Sequence, residues 1–298
     1  NQKIDYTMSA VVGLAGLQLT IDAVKISKTV AIANKETIIC GWEILSKLIK
    51  KYKTKLLPVD SEHFSIMELT KNHSEEQIKE IIITASGGPF LNKSINKLKK
   101  VKAKQAIKHP NWKMGKKISI DSATMMNKIF ELIEAKKIFN IPYKKLSIII
   151  HPKSYVHAIV KFKNGLTKII VHDTNMRIPI SNSLYFSNQI IHSKKINLKI
   201  LNNLEFQDIN LKRFPVIKIL NKLPEKSSLF ETILVSTNDK LVKSFLDDKI
   251  KFTDIYKKMN TILDLNKFKK FKKLKVKKIK DIIDLNNVVN DKLNSGIN

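Results

Sequence analysis

The spacing of apolar positions changes along the chain. Short apolar runs bounded by turn residues fill the first half, and three- and four-residue spacings take over from about residue 212. "VVGLAGLQLTIDAVKIS" reads as a short apolar segment, a Gly13/Gly16 turn and a helix. "TVAIAN" (29–34) predicts a buried strand, followed by the helix "ETIICGWEILSKLIKKY". "KLLPVD" predicts another strand, and "EIIITASGGPF" (80–90) a third that ends in a Gly-Gly-Pro turn. "HPNWKMGKK" is a loop by composition, and "ISIDSATMMNKIFELIEAKKIF" predicts a strand running into a long helix. "KLSIIIH", "YVHAIVKF" and "LTKIIVHD" read as successive strands, with Asn164-Gly165 as a hairpin turn. Together these predict an α/β fold with a helical C-terminal part and no internal repeat.

A chain of 298 residues, 43% of them hydrophobic, buries a sizeable core in two or three domains. No apolar run approaches the ~20 residues that span a bilayer, and "NQKIDYTMSA" lacks a signal-peptide pattern. The single cysteine, Cys40, forms no internal disulfide, which points to a reducing, cytoplasmic setting. The formal net charge is +29, yet Arg177 and Arg213 are the only arginines. Readers of nucleic acid favour arginine's planar, bidentate fork. The run "KFKKFKKLKVKKIK" (267–280) therefore reads as a solvated lysine face rather than a nucleic-acid site.

Candidate chemistry lies in two stretches. In "LLPVDSEHFSIMEL" (56–69), Asp60 and Glu62 would project the same way if the strand continues through them. Two such carboxylates repel unless a cation lies between them. Capping of a helix that begins at "HFSIMEL" is the commoner use of such a tripeptide, and both readings stay open. In "KISIDSATMMNKIFELIEA" (117–135), a helix starting near Ser122 would present free amides at the end of "ISI", a ready anion site. Asn127, Lys128 and Glu131 then share a face, and Ser86 in "SGGP" adds a hydroxyl and a concave turn. A capped helix with a solvated face, and a plain turn, are the alternatives. Glu131 makes sense if it joins Asp60 and Glu62. Three carboxylates without thiolates favour Mg²⁺ or Mn²⁺ with positions open to substrate oxygens.

Five segments also carry a resemblance: "ANKETIICG", "LLPVDSEHFSI", "ASGGPF", "HPNWKMGKKISIDSATMMNK" and "IIHPKSYVH". In order and spacing the chain resembles the 1-deoxy-D-xylulose 5-phosphate reductoisomerase family, densely from about 29 to 180 and more loosely at both ends. "KFTDIYK" (251–257) still resembles it. The resemblance implies an enzyme of isoprenoid precursor biosynthesis. Its substrate is rearranged by retro-aldol cleavage and re-addition, then reduced with NADPH and a divalent metal to 2-C-methyl-D-erythritol 4-phosphate. It implies a remnant of a Rossmann-like NADPH domain (1–57), a catalytic α/β domain with a mixed sheet (58–185), a linker (186–211) and a C-terminal helical domain (212–298).

The resemblance also implies roles. Asp60, Glu62 and Glu131 would hold Mn²⁺ or Mg²⁺, with Ser61 on the substrate. Ser86, Ser122, Asn127 and Lys128 would hold the phosphate, with His109 beside them. Lys35 would stand near the reacting carbons, so Lys35, Glu62 and Glu131 form the catalytic set, all three also contacting substrate. Asn34, Glu36 and Gly115 would face NADPH, and Trp112 and Met114 would cover the substrate as a lid. His63, His151 and His157 receive no catalytic role. The partners implied are a sugar phosphate and a second copy of the chain in a homodimer, with no nucleic acid or membrane.

The departures from the family are specific. Gly13-x-x-Gly16 lacks a third glycine and a preceding long strand, and the chain begins without methionine, so the first half of the NADPH domain is expected to be missing. Ile129 follows the lysine where the family has glycine, and "NMRIPI" and "VSTNDK" are eroded family segments. Three rivals follow: a metal- and sugar-phosphate-binding remnant without reductase activity, a metal-dependent isomerase or aldolase, and a basic nucleic-acid binder.

Overall fold

The computed structural model describes residues 2–184 and 195–296, so positions 186–194 of the expected linker lie outside the described residues. The elements run β1 (Ile4–Ser9), α1 (Gly16–Ile26), β2 (Ser27–Ile32), α2 (Lys35–Tyr52), β3 (Lys55–Pro58), α3 (Ser61–Thr70) and β4 (Ile78–Ala85). Then come α4 (Ala103–Ala106), α5 (Lys116–Thr124), α6 (Met126–Ile138), β5 (Leu146–Ile150), β6 (Val156–Phe162), β7 (Thr167–Val171), α7 (Arg177–Leu184) and α8 (Leu198–Leu201). The last helices are α9 (Phe230–Leu246), α10 (Phe252–Asp264), α11 (Asn266–Lys269) and α12 (Ile279–Asn294).

These residues form two compact units: 1–35, 48–86 and 131–209 in the first, 36–47, 87–130 and 210–298 in the second. The first is α/β and holds two sheets. One is parallel throughout, in the order β1-β2-β3. Ala31, Leu57 and Val59 form a core cluster here, packed against Tyr6, Met8, Met67 and Ile180. The other sheet is mixed, in the order β5-β4-β6-β7, with β4 parallel to β5 and antiparallel to β6. β6 is buried almost throughout, as a central strand requires, whereas Thr167, Ile169 and Val171 of the edge strand β7 are exposed. The second unit is helical, with α10 and α12 packed on the buried α9.

Two expectations need correction. A strand does precede the glycine pair: β1 pairs with β2 in register from Ile4 opposite Ser27 to Ser9 opposite Ile32. Its alternating Asp5, Thr7 and Ser9 suit an edge strand and hide it from a search for apolar runs. "ISI" is not a strand, and the helix does not begin at Ser122. Residues 116–124 are already helical behind an extended Gly115. Lys117 pairs with Asp121 one turn on at 2.9 Å, and Ser119 Oγ donates to the Gly115 carbonyl at 2.9 Å. Met125, at φ 70°, breaks the run before α6 begins. Ser122 therefore lies in the last turn of α5, and the helix start beside Asn127 and Lys128 is that of α6.

The Gly-Gly turn has a steric reason. Gly88 sits at φ +65°, where a Cβ would meet Ala123 Cα at 2.9 Å and Ser122 O at 3.0 Å, both backbone atoms. Gly88→Ala is expected to cost about 2–4 kcal/mol, left-handed strain plus overpacking. Gly165→Ala, at φ +88° with open space around it, is expected to cost only about 1 kcal/mol. Urea unfolding of both variants checks the contrast, and equal losses would show that the contact with α5 does not matter.

Candidate active site

The β3–α3 junction builds the first half of the site. Asp60 is the N-cap of α3: its Oδ1 accepts from the Glu62 N–H at 3.2 Å, and Ser61 and Glu62 open the helix. The capping and cation readings are thus not alternatives, since Oδ2 of the same carboxylate is ion-paired with Lys35. The alternation argument is corrected at this point. A helix start, and not an extended strand, brings Asp60 and Glu62 together. Ser61 Oγ donates to Glu62 Oε2.

α6 supplies the other half. Glu131 and Glu134, three residues apart, both approach Lys35 Nζ, at 3.8 and 3.4 Å. Oxygens of Asp60, Glu62 and Glu131 lie within 4.8 Å of one another, the donor set a hard divalent cation asks for. A second set, Asp60, His63 and Glu134, meets the same criterion, and sequence reasoning missed Glu134. The signal was its i,i+3 spacing from Glu131.

Electrostatics keep Lys35 cationic. Burial alone would depress its pKa, but Asp60, Glu134 and Glu131 outweigh that and hold it well above the usual lysine value. Burial works against the charge on Asp60 too, yet the Lys35 ammonium holds its carboxyl well below the ordinary range. His63 is buried, and its Nε2 bonds the Glu131 carbonyl at 2.9 Å. A carbonyl only accepts, so Nε2 carries the proton. Burial pushes the His63 pKa down, Lys35 adds to this and Asp60 opposes it, which leaves the ring neutral.

Of the residues expected toward a cofactor, Asn34 is buried and its Nδ2 donates to the backbone carbonyls of Val11 and Gly13, tying the β1–α1 turn to the end of β2. Gly16 is required there, because a Cβ would run into Asn34 Nδ2 and Val11 O. Ser86 follows β4 and is half-buried. His151 Nδ1 donates to the Glu205 carbonyl at 2.8 Å, and His157 stacks on His172 with centroids 4.0 Å apart.

The second unit carries the rest. His109 Nδ1 accepts from the N–H groups of Asn111 (3.1 Å) and Trp112 (3.0 Å), which shapes the segment bearing Trp112, Met114 and Gly115. Nε2 is then the protonated nitrogen, a neutral donor. Burial, with Lys128 adding, lowers the His109 pKa to about 4. Folded protein thus binds fewer protons here than unfolded chain between pH 4 and 6.5, and this contribution to stability is lost as pH falls through that window. An NMR titration is expected to place His109 near 4, and Lys128→Met to raise it part of the way, burial remaining. A value at 6.5 in both would contradict the arrangement. Ser122 and Asn127 are half-buried and Lys128 is buried.

Glu36 is not open-ended: Lys117 Nζ contacts it at 2.8 Å, Asp121 at 2.9 Å and Asp239 at 3.1 Å. Asn238 Nδ2 donates to Asp121 at 2.7 Å. Nothing local in the sequence announces this cluster. In the lysine run Phe268 and Val276 are buried and most of the lysines are exposed.

Comparison with known proteins follows the same residues. Models of 1-deoxy-D-xylulose 5-phosphate reductoisomerase match residues 1–41, and models of its C-terminal domains match 56–139 and 172–291. The reductoisomerase of Pelagibacter ubique is 60% identical over 276 residues, covering 90% of this chain and 70% of that protein. The one from Pelodictyon phaeoclathratiforme is 42% identical, covering 85% and 66%. Among solved structures, a DOX-P reductoisomerase in complex with NADPH, fosmidomycin and magnesium matches with TM-score 0.88 and 32% identity, over 96% of this chain and 74% of that one. The Zymomonas mobilis enzyme in complex with NADPH matches at 0.84 and 33%, over 96% and 73%. The chain therefore spans roughly two thirds to three quarters of the length of these proteins.

Proposed function

The chain belongs to the 1-deoxy-D-xylulose 5-phosphate reductoisomerase family, and from that premise we propose that it converts 1-deoxy-D-xylulose 5-phosphate to 2-C-methyl-D-erythritol 4-phosphate, using NADPH and Mg²⁺ or Mn²⁺. The observation that carries this reading is the convergence of Asp60, Glu62 and Glu131 oxygens beside a buried, protonated Lys35. That donor set fits a hard divalent cation. The three-stranded parallel sheet and the open backbone at Gly13 and Gly115, where a Cβ would meet nothing within 4 Å, fit close approach by a dinucleotide.

When bound, the metal supplies Lewis-acid polarisation of the substrate carbonyl and NADPH supplies the hydride. Asp60, Glu62 and Glu131 would hold the cation, and Ser61 Oγ, whose proton goes to Glu62, would accept from a substrate hydroxyl. Lys35 offers ammonium protons to oxygens that gain negative charge as the carbon skeleton rearranges. Ser86, Ser122, Asn127 and Lys128 grip the phosphate, and His109 adds a neutral Nε2–H. Trp112 and Met114 cover the substrate and exclude water, with Gly115 the pliable end of the segment. Asn34 and Glu36 shape the nicotinamide side. No helix among the described residues is long and apolar enough to cross a membrane, and the buried thiol of Cys40 suits a cytoplasmic enzyme. The homodimer belongs to this reading too, supported by exposed Leu166, Ile169 and Val171 at the β7 edge.

One observation favours a second reading. The side chains of Asn34 and Glu36 are engaged by Val11, Gly13 and Lys117, as in a metal- and sugar-phosphate-binding protein that performs no hydride step. NADPH oxidation with 1-deoxy-D-xylulose 5-phosphate, with Mn²⁺ and with chelator, tests both. Metal-dependent turnover is expected. Mn²⁺-dependent substrate binding without turnover would support the second reading, and neither would overturn both.

A further inference from the structure

We propose that the helical unit carries a second ligand site, an apolar cavity that binds a small anionic amphiphile. The cavity measures about 320 Å³, within the range of small-molecule pockets. Leu98, Val216, Phe252, Ile255 and Met259 line it and are themselves buried. The charged residues of the lining are Lys99, Lys212 and Lys257, all exposed, and Arg213, half-buried, beside neutral polar groups such as Asn96, Thr253 and Tyr256. No aspartate or glutamate takes part among the described residues.

This is unlike the other lysine-rich hollow of the unit. There Lys102, Lys104 and Lys116 share the walls with Asp239, Asp247 and Asp248, so the lining carries charge of both signs. In the apolar cavity the positive charge is left to the ligand. Arg213 is also held in place, because its Nη1 donates to the Phe90 and Lys93 carbonyls at 2.8 and 2.5 Å. A pocket with apolar walls, a few neutral polar groups and charged residues of positive sign only selects an apolar chain with one acidic head, carboxylate or phosphate.

The site has a route to the chemistry. Ala123, Thr124 and Met126 form part of its wall, and they flank the Met125 break between Ser122 and Asn127. An occupant would press on the short segment that carries those two side chains. This consequence rests on the function proposed above, whereas binding itself does not.

The test is calorimetric titration of the full 298-residue chain, without metal or NADPH, with octanoate, octyl phosphate and 1-octanol. Saturable binding of at least one anion, at least tenfold tighter than octanol, is expected. Hexanoate and hexyl phosphate should bind roughly tenfold more weakly than their octyl partners, since each buried methylene is worth about 0.8 kcal/mol, close to fourfold. Preference for octanoate would mark a fatty-acid ligand, and preference for octyl phosphate a phosphorylated one. Lys212→Glu with Lys257→Glu should weaken binding at least tenfold, and Thr253→Trp should block the cavity. Lys79→Glu, on an exposed lysine of the other unit, should change nothing. The proposal is overturned by octanol binding as tightly as the anions, by indifference to the double reversal, or by no saturable binding. Those outcomes leave turnover with metal and NADPH untouched, so the two readings fail separately.

Discussion

Glu131→Gln is expected to abolish the stabilisation that Mn²⁺ confers while leaving the metal-free fold nearly intact. Glu131 is a clean probe because it is buried and does no capping. Asp60 both caps α3 and pairs with Lys35, so Asp60→Asn mixes folding with binding. With chelator present, Lys35 keeps Asp60 and Glu134 as partners in Glu131→Gln, and the isosteric amide fills the same space. Loss of one carboxylate therefore changes the melting temperature little. Metal at a hundredfold excess over its dissociation constant stabilises a protein by about 2.7 kcal/mol, which is about 4 °C for a chain of this size. The wild type should show that rise and the variant almost none. Turnover should fall by about 10²–10⁴-fold, the several kcal/mol that Lewis-acid polarisation contributes. An unchanged Mn²⁺ shift in Glu131→Gln would remove Glu131 from the metal site and with it the main support for the proposed chemistry.

The metal-binding candidates were legible because each stands on a local signal. Asp60 and Glu62 straddle a serine at the mouth of an apolar run, and Glu131 sits on a helix face where an acid has no other use. The reason given for their convergence was wrong, since a helix start and not a pleat aims them together. The same ambiguity misplaced "ISI". Two isoleucines around a serine fit a strand of period two, and only the Lys117–Asp121 pair and the Gly115 start make the segment helical. β1 was hidden by its polar half, as edge strands often are. Least legible was the cluster around Lys117, whose partners Glu36 and Asp239 lie 81 and 122 residues away in the sequence. No window of residues holds that information. It exists only once the helices of the second unit have packed.

Lys117 is accordingly where a single substitution should cost most stability. Burial would depress its pKa, but Asp121, Asp239 and Glu36 hold it well above the ordinary lysine value. Its ammonium also lies 5.1 Å from the Phe130 ring centroid. Lys117→Met keeps the aliphatic stem and removes the charge, which leaves Glu36 and Asp121 buried without their cation. Breaking a buried pair in this way costs about 3–5 kcal/mol, and Lys117→Arg should recover most of it. The pH dependence distinguishes this account from simple packing loss. In the wild type, burial raises the Asp239 pKa to about 6, with Lys117 opposing and Glu36 and Asp121 adding to the rise. Folded protein then binds more protons than unfolded chain between pH 3.8 and 6, so this contribution is fully present below pH 3.8 and is lost as pH rises through 6. The Asp239 side chain is 36% exposed, and solvent screening holds the effect to about 1 kcal/mol. Without the ammonium the repulsion between Asp239 and its two acidic neighbours is unopposed, and protonation of Asp239 relieves part of it. The deficit of Lys117→Met should therefore be larger at pH 8 than at pH 5 in urea unfolding. An equal deficit at both pH values, or one below about 1 kcal/mol, would mean that the three carboxylates do not depend on Lys117 for their charge balance.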